Sequence, residues 1–248
     1  MKFNYKDVGK EIGWDFSAME HTVEQDCSYN YYHKVVENIT METKMLDVGC
    51  GGGEKAAKYF SLAKKIVMLD NEPEMLQKAK ENVKKFNNEK QAKKFEFVLA
   101  DVDEKLPFED ETFDLVVSRH CGANMKEVYR VLKNGGIFIS EDIDDLDCDE
   151  IKQYYKRGQN FQLDYVSKEK IFKDCADAGF KEINLLNFEQ KEFYPNPEQL
   201  KYLLKRTPII DGYDDDVDEP TLIKYCVDFS TEKGILLNRR LFAFYLKK

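Results

Sequence analysis

A chain of 248 residues, 42% of them hydrophobic, can bury the core of one α/β domain with elaborations, or of two small domains. A formal charge of −9 weighs against a nucleic-acid substrate, because phosphate backbones are met by basic surfaces. No apolar run nears the ~20 residues that span a bilayer, and residues 1–6 lack a signal-peptide core, so a cytoplasmic location and no membrane partner are expected. The six cysteines include no Cys-x-x-Cys pair and the chain has only three histidines, His21, His33 and His120, so reduced thiols and no metal site are expected.

Residues 1–43 read as an N-terminal arm or cap with a helix over about 28–39, in which Tyr29, Tyr31 and Tyr32 could line a pocket, although their helical spacing makes core packing the default. Met45, Leu46 and Val48 then form a buried strand, 44–48, that breaks at Gly49, Gly51 and Gly53 and opens a helix at Glu54. Glycines there let a backbone approach a ligand or take positive φ, and a helix start offers free N–H groups. A second strand, 66–70, ends in Asp70, and Pro73 suits the first turn of the next helix, which runs to about Phe86. Lys84, Lys85, Lys90, Lys93 and Lys94 around that helix read as a solvated face. Further strands fall near 94–100, 113–118 and 135–141, followed by a helix over 168–178 closed by Gly179 and a strand over 180–189. Residues 190–236 are longer than a plain connection. They hold one helix through Leu200, Leu203 and Leu204, an acidic run from Asp211 to Glu219, and a second helix over 220–233. This insertion is expected either to cover the substrate or to serve as a packing or dimerisation element, ahead of a last strand over 239–246. Such alternation implies a parallel sheet with helices on both faces and right-handed crossovers.

The glycine loop narrows the ligand. The dinucleotide fingerprint needs glycine at position 54, where this chain has Glu54, and the Gly-Lys-Ser/Thr ending of a phosphate loop is missing. A nucleotide-dependent oxidoreductase is disfavoured on that ground. The actual pattern, Asp-x-Gly-x-Gly-x-Gly from Asp47, resembles motif I of the class I S-adenosylmethionine-dependent methyltransferases. The Asp70 strand end, the Asp101 strand end, Leu106-Pro107-Phe108 with Asp110 to Val116, and Arg130-Val131-Leu132-Lys133-Asn134-Gly135-Gly136 follow in that family's order across residues 44–141. Gly13-Trp14-Asp15-Phe16-Ser17, Ser118-Arg119-His120 and Arg206-Thr207-Pro208 are similar to a bacterial branch of methyltransferase type 11-like proteins.

The resemblance implies a Rossmann-like, doubly wound, mostly parallel seven-stranded sheet with an antiparallel last strand and a helical insertion before it, in a methyltransferase domain over 44–248. It implies S-adenosylmethionine as cofactor, bound at Asp47, Gly49, Cys50, Gly51, Gly53, Asp70, Asn71, Asp101, Val102 and Ser118. Asp70 would accept the ribose hydroxyls and Asp101 would meet the adenine amino group. The acidic loop suits a cationic sulfonium better than a phosphate.

In-line methyl transfer draws most of its acceleration from alignment, which is worth ~7–11 kcal/mol. Only a nucleophile that carries a proton needs a base. His120 is the candidate for that role, and Arg119 is a candidate clamp for an acceptor carboxylate. Both can equally serve to shape the loop. Trp14 either lies over the sulfonium, by cation–π attraction, or packs the arm. A small-molecule acceptor is expected. A non-catalytic S-adenosylmethionine-binding protein, or a methyltransferase acting on RNA or protein, stand as alternatives, and no residue pattern speaks to oligomeric state.

Overall fold

The computed structural model describes residues 8, 11, 16–162 and 167–248. An edge strand β1 (Thr22–Gln25) and helix α1 (Tyr31–Val36) precede the alternating part: β2 (Lys44–Val48), α2 (Glu54–Tyr59), β3 (Lys65–Asp70), α3 (Pro73–Phe86), α4 (Glu89–Ala92) and β4 (Phe95–Leu99). Next come β5 (Phe113–Arg119), α5 (Met125–Val131), β6 (Leu132–Ile143), α6 (Asp149–Tyr155) and α7 (Ser167–Ala178). The chain finishes with β7 (Glu182–Tyr194), α8 (Pro197–Arg206), α9 (Asp215–Asp228), β8 (Ser230–Thr231) and β9 (Gly234–Lys247).

The strands share one sheet in the order β1-β7-β9-β6-β5-β2-β3-β4, with the short β8 paired to β9. From β6 through β5, β2 and β3 to β4 every pairing is parallel, and β9 runs antiparallel between β6 and β7. Apart from the short β1 and β8, this is the expected seven-stranded doubly wound sheet. Its parallel strands are apolar on both faces because both are covered by helices. Met45, Ile66, Met68, Leu115 and Val117 face α1, α2 and α3 through Val35, Ala56, Ala57, Ala79 and Val83. Leu46, Val48, Val67, Leu69 and Val116 face α5 and the α7 side through Val128, Val131 and Cys175. The switch of face at each successive residue is the two-residue period of a strand.

The order of strands reverses between β2 and β5, which opens a crevice beyond their C-terminal ends. Parallel register sets Val48 beside both Leu69 and Ser118, so the Gly49 loop, the end of β3 and the end of β5 emerge together at that edge.

Several boundaries differ from expectation. Strand β7 runs to Tyr194 and β9 starts at Gly234, so both ends of the anticipated 190–236 insertion are strand, held by an unbroken antiparallel ladder from Glu182↔Lys247 to Tyr194↔Ile235. Strand β6 likewise spans 132–143 rather than 135–141. Helix α9 begins at Asp215 and not near 220. The Asp214 carboxylate caps it by accepting from the Asp216 N–H at 2.9 Å, and Asp215, Asp216 and Asp218 complement the positive helix end. The acidic run is thus a helix start. Helix α1 is confined to Tyr31–Val36, with Asn30 as its N-cap.

Helices α6, α8 and α9 and the ends of β7 and β9 enclose a separate apolar cluster that includes Ile151, Leu200, Leu204, Leu222, Tyr225 and Leu237. It forms a cap above the crevice edge of the sheet, and Phe16 and Met19 from the N-terminal arm pack against it. Among the described residues, no helix is long and apolar enough to cross a membrane.

Candidate active site

A cavity of about 1170 Å³ opens at the crevice and is lined from the glycine loop, the end of β3, the β5–α5 turn, the end of β6, the arm and the cap. It exceeds the ~300–1,000 Å³ usual for a single small ligand, leaving room for two molecules. Its wall carries six carboxylates, Asp47, Glu54, Asp70, Glu72, Glu74 and Asp142, against three cationic side chains, Lys55, Arg119 and Arg239.

The loop is built by close approach. Gly49 has φ +68°, and a Cβ there would stand 2.3 Å from Cys121 Sγ and 2.6 Å from Cys121 Cβ. Gly51 has φ +53° with nothing within 4 Å of where its Cβ would lie, so a ligand can reach its backbone. The loop is pinned from outside: the Asn82 Nδ2 donates to Gly52 O at 2.7 Å, and Cys50 N to Leu69 O at 2.9 Å. Gly49→Ala combines a left-handed backbone with a steric clash, so a loss of about 2–4 kcal/mol in unfolding free energy is expected. Urea denaturation checks this; a loss below about 0.5 kcal/mol would mean that the β5–α5 turn yields freely.

Asp70 stands where β3 ends. Its Oδ2 accepts from Gly51 N at 2.8 Å and its Oδ1 from Glu72 N at 3.0 Å, so one carboxylate shapes both the loop and the following turn. Each oxygen keeps a second lone pair for a ligand. Burial raises the Asp70 carboxyl above its usual range despite those N–H donors. Asp47 is more deeply affected: burial first, then the charges of Asp70 and Glu54, push its pKa up to about 7. A buried carboxyl beside two other acids is a place where a cation is missing.

Most, but not all, of the anticipated cofactor residues converge. Asp47, Gly49, Cys50, Gly51, Gly53, Asp70, Asn71 and Val102 line the cavity. Asp101 does not: its side chain is exposed and accepts from Asp103 N at 3.0 Å, because the chain turns outward directly after β4. Ser118 is also off the wall. It is buried in the sheet and donates to Cys121 O at 2.6 Å, which ties down the turn that supports Gly49.

Arg119 and His120 both line the cavity, where the turn leaves β5. The Arg119 Nε donates to Glu141 Oε1 at 2.7 Å, a pairing set by the Arg119↔Glu141 register of β5 and β6. Its guanidinium also stands 5.7 Å above the Tyr32 ring. The Nε of the anticipated clamp for an acceptor carboxylate is therefore engaged by the protein's own acid. His120 adopts φ +55°, the left-handed region that few residues other than glycine enter, and its N–H donates to Glu141 O at 2.9 Å. Burial, then the nearby Arg119 and Arg239, hold the imidazole well below its usual pKa, so it is neutral at physiological pH. Its Nε2 lies 4.0 Å from Glu141 Oε1.

Periodicity concealed part of the wall. Tyr31 and Tyr32 satisfy the helical core pattern, yet both line the cavity. Tyr31 is only 4% exposed, and its hydroxyl has no partner among the described residues; nor has the buried His21 Nδ1. His21, stacked on Tyr194 at 5.5 Å, Asp142, Gln159 and Arg239 are wall residues that no local motif marks, and Thr207 joins them from the Arg206-Thr207-Pro208 segment. Burial raises the Asp142 carboxyl, and burial with Asp70 and Asp142 nearby pushes the Cys121 thiol up to about 12. Phe16 and Ser17 reach the cavity, whereas Gly13, Trp14 and Asp15 lie outside the described residues. None of the five lysines of the basic cluster lines it.

These features fit an adenosyl sulfonium. The loop offers an approachable backbone at Gly51, Asp70 retains free lone pairs, and the acidic wall suits a cation. Comparison with known proteins agrees. The model of a family described as "Methyltransferase domain" matches residues 39–201. The chain is 37% identical over 101 residues to "Uncharacterized methyltransferase YodH" of Bacillus subtilis (strain 168), covering 38% of this chain and 41% of the relative. It is 27% identical over 217 residues to "Demethylmenaquinone methyltransferase" of Staphylococcus haemolyticus (strain JCSC1435), covering 68% of this chain and 88% of the relative. A crystal structure of a SAM-dependent methyltransferase from Aquifex aeolicus shares the fold with a TM-score of 0.54, covering 99% of each chain at 17% identity. For the first of the curated relatives, the match spans about half of their length.

Proposed function

The chain belongs to the methyltransferase-domain family, class I and S-adenosylmethionine-dependent, and on that premise we propose that it moves the sulfonium methyl group to a small-molecule acceptor. The observation that carries this reading is the single cavity in which the glycine-loop wall and a second polar wall meet, with buried orphan groups at Tyr31 and His21. The likeness to a relative named for demethylmenaquinone, itself a small acceptor, supports it.

Bound S-adenosylmethionine supplies an electrophilic methyl carbon on sulfur. Around it the chain's own residues divide the work. Asp70 holds the ribose hydroxyls with the lone pairs that Gly51 and Glu72 leave unused. Asp47 answers the cationic end of the molecule. Neutral His120 takes a proton from the acceptor, and Arg119 with Glu141 positions the turn that carries it. The cap segment at residues 195–233 covers the acceptor side through Leu203, Thr207 and Ile209, and excludes water during transfer.

The test is transfer of a labelled methyl group from S-adenosylmethionine in a metabolite extract, with RNA and protein fractions offered separately. Label in the small-molecule fraction is the expected result. Label confined to RNA or protein would overturn it, and tight cofactor binding with no transfer to any fraction would identify a non-catalytic binding protein.

Asp47 adds a pH signature. Its pKa of about 7 lies above that of a carboxyl in the unfolded chain, so the native state holds this proton more tightly. The stability this group contributes is therefore present below the unfolded carboxyl range and is lost as pH rises toward 7. A bound cation favours the ionised form, so cofactor affinity is expected to rise by up to about tenfold per unit between roughly pH 6 and 7.5. Calorimetry across that range checks it; a dependence identical in Asp47→Asn would assign the proton elsewhere.

A further inference from the structure

We propose that the acceptor is a small amine, bound as its ammonium by the Asp142 carboxylate with His21 and Tyr31, and methylated on nitrogen. The proposal rests on the methyl-transfer reading and names the substrate class for the same cavity.

The acceptor wall has its cations already consumed. Arg119 is paired with Glu141 at 2.7 Å. Arg239 donates from Nε and Nη2 to Asp147 and from Nη1 to Glu192, with distances of 3.0–3.2 Å, and Asp147 and Glu192 are themselves buried. Each arginine thus meets at least one full counter-charge, and Arg239 meets two. The third cation of the wall, Lys55, sits on α2 beside the glycine loop. An anionic acceptor group would therefore find no unneutralised arginine, and it would stand beside Asp142.

The acceptors of hydrogen bonds, by contrast, are left over. Asp142 receives one bond, from Ile143 N to Oδ1 at 2.8 Å, and its Oδ2 has no partner among the described residues. The His21 Nδ1 and the Tyr31 hydroxyl are buried without partners in the same wall, and Tyr31 is more than nine-tenths buried. Orphaned buried polar atoms in a native fold mark a missing partner. An ammonium group carries three N–H donors and one positive charge, which is the complement of a cavity wall that holds an unneutralised carboxylate and neutral acceptors. Tyr31, Tyr32 and Phe16 add aromatic faces, which attract a cation.

The chemistry balances. The bound ammonium first gives one proton to neutral His120, and from there to solvent. The freed nitrogen lone pair then forms the N–CH₃ bond while the C–S bond breaks, its electron pair staying on sulfur. The products are a methylammonium, S-adenosylhomocysteine and one released proton.

The experiment uses the full chain saturated with S-adenosylhomocysteine and three probes on one skeleton: 2-phenylethylamine, 2-phenylethanol and phenylacetate. Binding of S-adenosylhomocysteine is measured first; its failure would count against the methyl-transfer reading as a whole, separately from the acceptor class. With that complex formed, the amine is expected to bind about tenfold or more tightly than the other two, the size of one charge-assisted hydrogen bond. Asp142→Asn is expected to erase that preference while leaving S-adenosylhomocysteine affinity unchanged, which also reports that the variant is folded. Preferred binding of phenylacetate or phenylethanol, equal binding of all three, no binding of the amine, or an amine preference that survives in Asp142→Asn would each overturn the proposal.

Discussion

Replacing His120 with alanine is expected to lower kcat by about 10²–10⁴-fold, the usual worth of a positioned proton acceptor, with cofactor affinity unchanged. The imidazole is a neutral group on the cavity wall: burial together with Arg119 and Arg239 keeps it unprotonated, so it passes a proton on to solvent and does not hold it. Its position is also costly to maintain, because the backbone at φ +55° is held by the His120 N–H to Glu141 O bond. His120→Asn, which tolerates that backbone but cannot take a proton, separates the two contributions. If both variants turn over like the parent, His120 has no part in turnover. If alanine is slow and asparagine is not, the role is conformational; the chemical role requires both to be slow.

Asp70→Ala is expected to weaken cofactor binding by about 2–4 kcal/mol, roughly 30- to 1,000-fold, since charge-assisted hydrogen bonds contribute about 1.5–3 kcal/mol each. Two losses combine. The ribose hydroxyls lose their acceptor, and Gly51 N and Glu72 N lose the carboxylate that draws the loop and the next turn together. The fold is expected to survive, because burial already disfavours the ionised carboxyl and alanine relieves that cost. Calorimetry reads the affinity and circular dichroism the fold. Unchanged affinity in a folded variant would remove Asp70 from the ribose site.

Arg119, Asp101 and Ser118 meet partners that the sequence alone does not show. Arg119 looks like a free clamp along the chain, but its counter-charge, Glu141, is supplied by the pairing of β5 with β6. Asp101 ends an apolar run much as Asp70 does, yet only Asp70 points back to the loop; Asp101 turns out with the chain. Ser118 follows the pattern of a strand end, and the structure uses it to brace Cys121 under Gly49. Tyr31 is hidden by the opposite effect, since one buried helix face serves the core and the cavity alike.

By itself the sequence determined the doubly wound sheet, the glycine loop and the acidic strand end that meets it. Those rest on short-range periods of two and 3.6 residues and on glycine stereochemistry, all of which operate between near neighbours. Only tertiary structure decided the second wall, where His21, Tyr31, Asp142, Thr207 and Arg239 arrive from five separate segments. It also decided which charges there are spent, because Arg239 is neutralised by Asp147 and Glu192 while Asp142 retains an open oxygen. Whether a charge is neutralised depends on distance through space in a buried, weakly screened medium, and no local repeat encodes it.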